Sequence, residues 1–406
     1  MERFLYKNLL DWKNRGKTPL HKPLLLLGAK GVGKKYLLED FGKKEYKNYV
    51  VIDCKDVGEK LLLSKDTEKI INTLSDILRI NITNKTLIIL SEVKSPVSSS
   101  LAMSYDVVAT SSYCDFDTKD FEVLHLYPFS FMEFLKAVKK DVLFEIIKRQ
   151  AFRELELLKE ELSDILKIYC FVGGLPEIVD TYAKTRDFDL VRAKQIAALK
   201  SYEEDFLQKA IPSTANKMYQ VFFSIPKQLA KENKKFSYNA IKQGSKKSHY
   251  EKAIAILERM ALVHKVLCVK EDRLCENSFK LYMLDTGLFS SLSKMWIGEM
   301  SEGVAEQFFV SEFFASNFCD KNAERERELF YYTNENSTLK IDFLIKEKGK
   351  KKIFVETGIS ENKMAKNLCT MLEKDKESSA VRFLMNFDKS NDKIENVHLA
   401  LCSFVL

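Results

Sequence analysis

The chain has 406 residues, too many for one compact core, so two or three domains are expected. With 46% hydrophobic and 30% charged residues and no apolar run near the length of a bilayer span, the composition describes a soluble globular protein and excludes a membrane-spanning one. Eight scattered cysteines form no C-x-x-C pair, which argues against structural zinc or a disulfide scaffold and for reduced thiols in a cytoplasm. The net charge of +7 is concentrated: between Pro226 and Lys252 eight lysines face two glutamates, a local balance of +6 that suits a polyanion.

The chain begins with an amphipathic helix after Met1–Leu5 rather than a signal peptide. Pro23–Leu27 reads as a short buried strand and Lys34–Phe41 as a helix. Between them lies Gly28-Ala29-Lys30-Gly31-Val32-Gly33-Lys34-Lys35, which matches G-x-x-x-x-G-K-[ST] until Lys35. Glycines there let backbone N–H groups converge on phosphate, the helix N-terminus adds positive potential, and Lys34 neutralises the terminal phosphates. The hydroxyl that normally reaches Mg²⁺ is replaced by a lysine. A second strand spans Tyr49–Asp53. A third, Thr86–Leu90, ends in Ser91-Glu92, where P-loop ATPases carry an Asp for Mg²⁺ and a Glu that polarises water. The next strand, Tyr105–Thr110, ends in Ser111 and Ser112, whose hydroxyls either sense a γ-phosphate or, as is commoner at a strand end, simply form a turn. The strand Glu122–Leu126 follows.

From Phe131 to about Leu207 the spacing is helical, interrupted by Gly173-Gly174 and Pro176. The basic segment then reads as a winged helix, with helices at Ser224–Ala230, Ser237–Ile241 and from Ser248, and wing strands over Ala261–Val269. Positive residues near the start of the third helix, Lys242, Lys246, Lys247 and His249, are the candidates for DNA phosphates, although such a module serves equally for protein contacts. After it, Gly303–Gln307 opens an amphipathic helix containing Glu306. Strands are expected at Leu329–Tyr332, Leu339–Ile345, Lys352–Glu356, Val381–Leu384 and Val397–Leu401, the second carrying Asp342 and the third Glu356.

The loop at 28–35, Pro128-Phe-Ser-Phe-Met-Glu-Phe134, Val172-Gly-Gly-Leu-Pro-Glu177 and Lys280-Leu-Tyr-Met-Leu-Asp-Thr-Gly-Leu288 together resemble the prokaryotic AAA-type ATPases that carry a winged-helix segment and a C-terminal domain like the PD-(D/E)XK nucleases. The resemblance implies an α/β chain. It would comprise an AAA-type P-loop parallel-sheet domain over 1–140, a helical lid over 141–210, a winged helix over 211–278 and an α/β nuclease-like domain over 279–406. It implies ATP as the ligand of residues 28–35, and Glu92 as the catalytic carboxylate if ATP is hydrolysed. The family also has an Arg shortly before its Pro-x-Ser-Phe block, whereas no Arg lies between Arg79 and Arg149 here.

Lys35, Ser91 and the missing arginine together point to weak or absent hydrolysis, with Lys35 standing in for a cation and Mg²⁺ deprived of its usual protein ligands. The nucleotide state would then be passed to DNA or a protein partner, and no membrane is implied. Two alternatives are an active ATPase using Glu92, and a DNA- or protein-binding scaffold with both sites inactive. In the nuclease-like domain Asp342 and Glu356 match metal ligands and Glu306 the helix carboxylate, but Gly358 stands where E-x-K requires lysine. Lys363 or Lys366 would have to reach back as a substitute. A remnant without nuclease activity or a metal is therefore expected there.

Overall fold

The computed structural model describes residues 3–16, 21–54, 64, 66–317, 327–336, 338–347, 352–359, 366–385 and 394–405. The chain divides into two compact units, residues 1–127 with 259–261 and residues 128–258 with 262–406.

The first unit is built on five strands: β1 (Leu24–Leu27), β2 (Asn48–Asp53), β3 (Thr86–Ser91), β4 (Asp106–Ser111) and β5 (Glu122–His125). Their order is β2-β3-β4-β1-β5 and every pairing is parallel. Parallel strands are covered on both faces, which is why β1 and β3 read as unbroken apolar runs. Helices α1 (Tyr6–Asn14), α2 (Lys34–Glu45), α3 (Thr67–Leu78) and α4 (Ser99–Ser104) accompany them. In α3 the apolar face is Ile70, Ile71 and Leu74, and Asp66 caps its start by accepting from the Lys69 N–H. That face packs with Leu25, Ile88 and Val107 of the sheet. Because all strands run the same way, the ends of β1, β3 and β4 lie on one edge, where ligands of open parallel sheets bind.

The second unit begins with α5 (Phe131–Ala137), α6 (Asp141–Lys148), α7 (Phe152–Leu157), α8 (Lys159–Val172), α9 (Pro176–Thr185), α10 (Phe188–Lys209) and α11 (Pro212–Leu229). The helix expected at Ser224–Ala230 is the end of α11, with Pro226 inside it. The one expected at Ser237–Ile241 shrinks to a 3₁₀ turn, Tyr238–Ala240. The next is α12 (Lys247–Arg259). Strands β6 (Val263–Lys270) and β7 (Arg273–Met283) form the antiparallel hairpin. After α13 (Thr286–Leu292) and α14 (Glu302–Asn317) come β8 (Arg327–Thr333), β9 (Lys340–Glu347), β10 (Ile353–Gly358), α15 (Lys366–Lys374), β11 (Ser379–Leu384), β12 (Glu395–His398) and the short α16 (Cys402–Val405).

The seven-stranded sheet has the order β12-β11-β10-β9-β8-β6-β7. The hairpin thus extends the C-terminal sheet through a parallel β6–β8 pairing, and the boundary expected at 278/279 falls inside β7. The last strand stops at His398 instead of running to Leu401, because Leu399–Leu401 turn into a 3₁₀ segment. Helix α14 is not amphipathic. Every residue from Gly303 to Val310 is buried, as befits a helix surrounded by other elements.

Three of the motifs meet at one junction. Gly173 ends α8 at φ 82° and ψ −172°, a conformation essentially closed to other residues. The Gly174 N–H donates to Asp285 Oδ2 at 2.6 Å, and Asp285 Oδ1 accepts from the Leu288 N–H at 2.9 Å, capping α13. The Gly174 carbonyl accepts from the Phe129 N–H at 2.7 Å. Ser130 and Glu133 close a reciprocal capping box at the start of α5. These motifs are therefore packing devices of the second unit.

Candidate functional site

The loop between β1 and α2 is held from three sides. The Gly28 N–H donates to the Ser111 carbonyl of β4 at 3.3 Å, and the Leu126 N–H donates to the Leu27 carbonyl at 2.7 Å. A Cβ on Gly28 would stand 2.3 Å from the Leu126 carbonyl oxygen, so only glycine fits there. Gly31 and Gly33 take φ of 88° and 93°, in the left-handed region that favours glycine. Arg3, buried, adds a guanidinium contact to the Val32 carbonyl at 3.2 Å and to the Tyr127 carbonyl at 2.5 Å. An arginine just ahead of a first helix carries no sequence signal for this, and it was not expected.

Lys34 opens α2 and is 6% exposed, with Nζ donating to the carbonyls of Gly28 at 2.8 Å and Ala29 at 3.1 Å. No side chain caps the helix, which leaves its first N–H groups available to an anion. Lys35 behaves differently. Its side chain is 64% exposed, and its ion pair is with Glu39, one turn along α2. Lys30 is also exposed, while Ala29 and Val32 are buried beneath the loop.

Glu92 follows β3 and faces the loop, 3.5 Å from Lys34 Nζ. Its Oε2 accepts from the Ser112 hydroxyl at 2.5 Å and from the Ser112 N–H at 2.9 Å. Burial alone would raise its pKa, but Lys34 and the Ser112 donors outweigh that and hold it below the usual carboxylate value. Its backbone sits at φ 56°, fixed by an N–H bond to Thr110 Oγ1 at 3.0 Å. A non-glycine residue held in that region stores strain of the kind found at functional sites. Sequence reasoning singled out Ser112 for its own hydroxyl; its grip on Glu92 was not foreseen.

The glycine conformations, the uncapped helix and the buried ammonium fit the phosphates of a nucleotide. Mg²⁺ is a poorer fit. Residue 35 is a lysine turned to Glu39, and Ser91 stands in register beside the exposed Asp53 with no acid of its own. Among the described residues no group of three or more His, Cys, Asp or Glu can hold a metal ion. Seven cysteines are free thiols and Cys319 lies outside the described residues.

In the second unit the three candidate acids each have a protein partner. Glu306, fully buried, accepts from Lys234 Nζ at 2.6 Å on Oε1, and from Lys280 Nζ at 3.0 Å and the Tyr282 hydroxyl at 2.5 Å on Oε2. Burial would raise its pKa, yet the two ammonium groups hold it low. Asp342 Oδ2 accepts from the Thr357 N–H at 3.0 Å, and burial with the nearby Glu306 charge pushes its carboxyl up to about 6. Glu356 lies 3.5 Å from Arg382 Nε. The lysines at this site are thus Lys234 and Lys280. Lys366 starts α15 exposed, and Lys363 lies outside the described residues.

At the start of α12, Lys242, Lys246 and His249 are exposed, His249 Nδ1 accepting from the Lys246 N–H at 3.3 Å. Lys247 bonds Asn277 Oδ1 at 2.9 Å and pairs with Glu251 at 3.3 Å.

Residues 163–296 match the model of a domain of unknown function, DUF8612, and residues 302–404 that of another, DUF4143. No curated protein matches the chain. Among solved structures it is similar to the Walker-type ATPase PABY2304 of Pyrococcus abyssi, at 14% identity and a TM-score of 0.40, over 71% of this chain and 94% of that one. No described helix is long and apolar enough to cross a membrane.

Proposed function

We propose that the protein binds ATP or another nucleotide through Gly28–Lys34 and uses it chiefly as a conformational ligand, with weak or absent hydrolysis. The observation that carries this is Lys34: a buried ammonium held on its own loop's carbonyls, beside Glu92, at the mouth of an uncapped helix. An incoming phosphate would draw Lys34 off those carbonyls and weaken its attraction to Glu92. The exchange ties nucleotide occupancy to the β3 and β4 ends through Ser112. Affinity that differs between two states is enough to shift a protein between them. Lys35, paired with Glu39, is then a bystander to phosphate rather than a replacement for the metal.

ATP should raise the melting temperature of the wild-type protein with EDTA present, and Lys34→Ala should need about ten times more ATP for the same shift. A charge-assisted contact of this kind contributes about 1.5–3 kcal/mol, so binding should weaken at least about tenfold. A shift seen only with Mg²⁺ would refute the metal-independent reading. A second reading, an active ATPase, is favoured by the ionised, strained Glu92. Phosphate release abolished by Glu92→Gln would establish it.

For the partner, the exposed basic start of α12 supports a winged-helix contact with DNA phosphates. DNA affinity should fall with salt, and Lys246→Ala with Lys247→Ala should reduce the slope by about two counterions. An unchanged slope would leave a protein partner as the reading.

A further inference from the structure

The buried Glu306 lies on the wall of a cavity of about 280 Å³ inside the second unit. Five lysines line that cavity against three carboxylates, a formal surplus of two positive charges. Lys234 and Lys280 are matched in charge by Glu306 and Asp342, so the surplus comes from the exposed Lys235 and Lys340 and the half-buried Lys270 against the exposed Glu232. Two ammonium groups, those of Lys234 and Lys280, are committed to one carboxylate, at 2.6 and 3.0 Å. Both are largely withdrawn from solvent, at 13% and 9% side-chain exposure. Lys270 and Lys340, at the end of β6 and the start of β9, face the same cavity and make no ion pair among the described residues. The Ser278 and Tyr331 hydroxyls, 2.6 Å apart, bond each other at the wall, which leaves at most one of their two protons for a ligand.

Glu306 offers no oxygen to a metal without losing an ammonium partner, and Asp342 already receives the Thr357 N–H. Charge at close range in a partly enclosed space is weakly screened, so the surplus favours an anion over a cation. A phosphoryl group carries about −1.5 to −2 charges near neutrality, which matches the surplus, and accepts several donors at once. We propose that this cavity holds a phosphoryl group directly on its lysines, without a divalent cation. The group can belong to a free phosphorylated small molecule or to the end of a nucleic-acid strand.

The test is calorimetric titration of the full-length Lys34→Ala protein in EDTA, so that the glycine loop does not contribute. Inorganic phosphate should bind, and Lys270→Met and Lys340→Met should each weaken it about tenfold, the effect of losing one charge-assisted contact. Both lysines lack a pairing role, so these variants should fold as the parent does. A 5′-phosphorylated oligonucleotide that displaces phosphate, where its 5′-hydroxyl form does not, supports the proposal with a strand end as the source. If neither displaces it, phosphate binding supports a small-molecule source. Absence of phosphate binding, equal affinity in parent and both lysine variants, or Mn²⁺ binding to the parent in EDTA-free buffer would overturn the proposal.

Discussion

Gly173→Ala is expected to destabilise the protein by about 3 kcal/mol or more and to lower its melting temperature by roughly 6–12 °C. Two independent costs combine. The backbone at φ 82° and ψ −172° is in a region that only glycine occupies freely. A Cβ there would also stand 2.4 Å from Asp285 Oδ1 and 2.7 Å from the Gly287 nitrogen. Asp285 cannot retreat, because its two oxygens hold the N–H groups of Gly174 and Leu288. Gly287 cannot either, since its own Cα already leaves no room for a Cβ against the Val172 carbonyl, at 2.2 Å. The comparison variant is Gly244→Ala. That glycine has φ 79° but nothing within 4 Å, so it should lose only about 1–2 kcal/mol for its backbone. Equal losses in the two variants, measured by denaturant unfolding, would show that the junction with Asp285 contributes nothing.

The strand, loop and helix around residues 28–34 were legible in the sequence because the glycines and the lysine stand at short, local spacing between an apolar run and a helix. Strands β1, β3 and β4 were legible for a similar reason, since a doubly covered parallel strand carries a mostly apolar run. What could not be read is compensation that crosses the chain. The E-x-K spacing expects a lysine two residues after Glu356, where Gly358 stands. The ammonium groups on Glu306 come instead from positions 72 and 26 residues away. Likewise Lys35 was legible as a missing hydroxyl, but its partner Glu39 belongs to the helix surface rather than to the site. The winged-helix pattern misled in one respect. Periodicity marks a hairpin but does not say which sheet it joins, and β6 pairs with β8. Helix α14 was expected to be amphipathic, but its carboxylates Glu306 and Glu312 do not face solvent. Glu306 is neutralised by lysines, and Glu312 has no lysine partner among the described residues.

Glu312 makes the second large prediction. It is 1% exposed, and Oε1 accepts from the Phe131 N–H at 2.8 Å and from the Tyr169 hydroxyl at 3.3 Å, while Oε2 has no hydrogen-bond partner among the described residues. Burial, with a smaller push from the Glu133 charge, raises its carboxyl from about 4.5 to about 8 against the pull of those two donors. The group is therefore protonated in the folded protein near neutrality and ionised in the unfolded chain. Between about pH 4.5 and about pH 8 the folded state binds the extra proton, so this residue makes stability fall as pH rises, by about 1.4 kcal/mol per pH unit. Below that window both states are protonated and the effect vanishes; above it both are ionised and the loss is complete. Glutamine copies the shape of the neutral acid, keeps an oxygen for the Phe131 N–H and does not titrate. Glu312→Gln should accordingly be close to wild type at about pH 5, and its advantage should grow by about 2 kcal/mol between about pH 6 and about pH 7.5. Urea unfolding across that range measures the difference directly. Parallel pH profiles for the two proteins would mean that Glu312 is ionised in the fold, and that a donor to Oε2 offsets its burial.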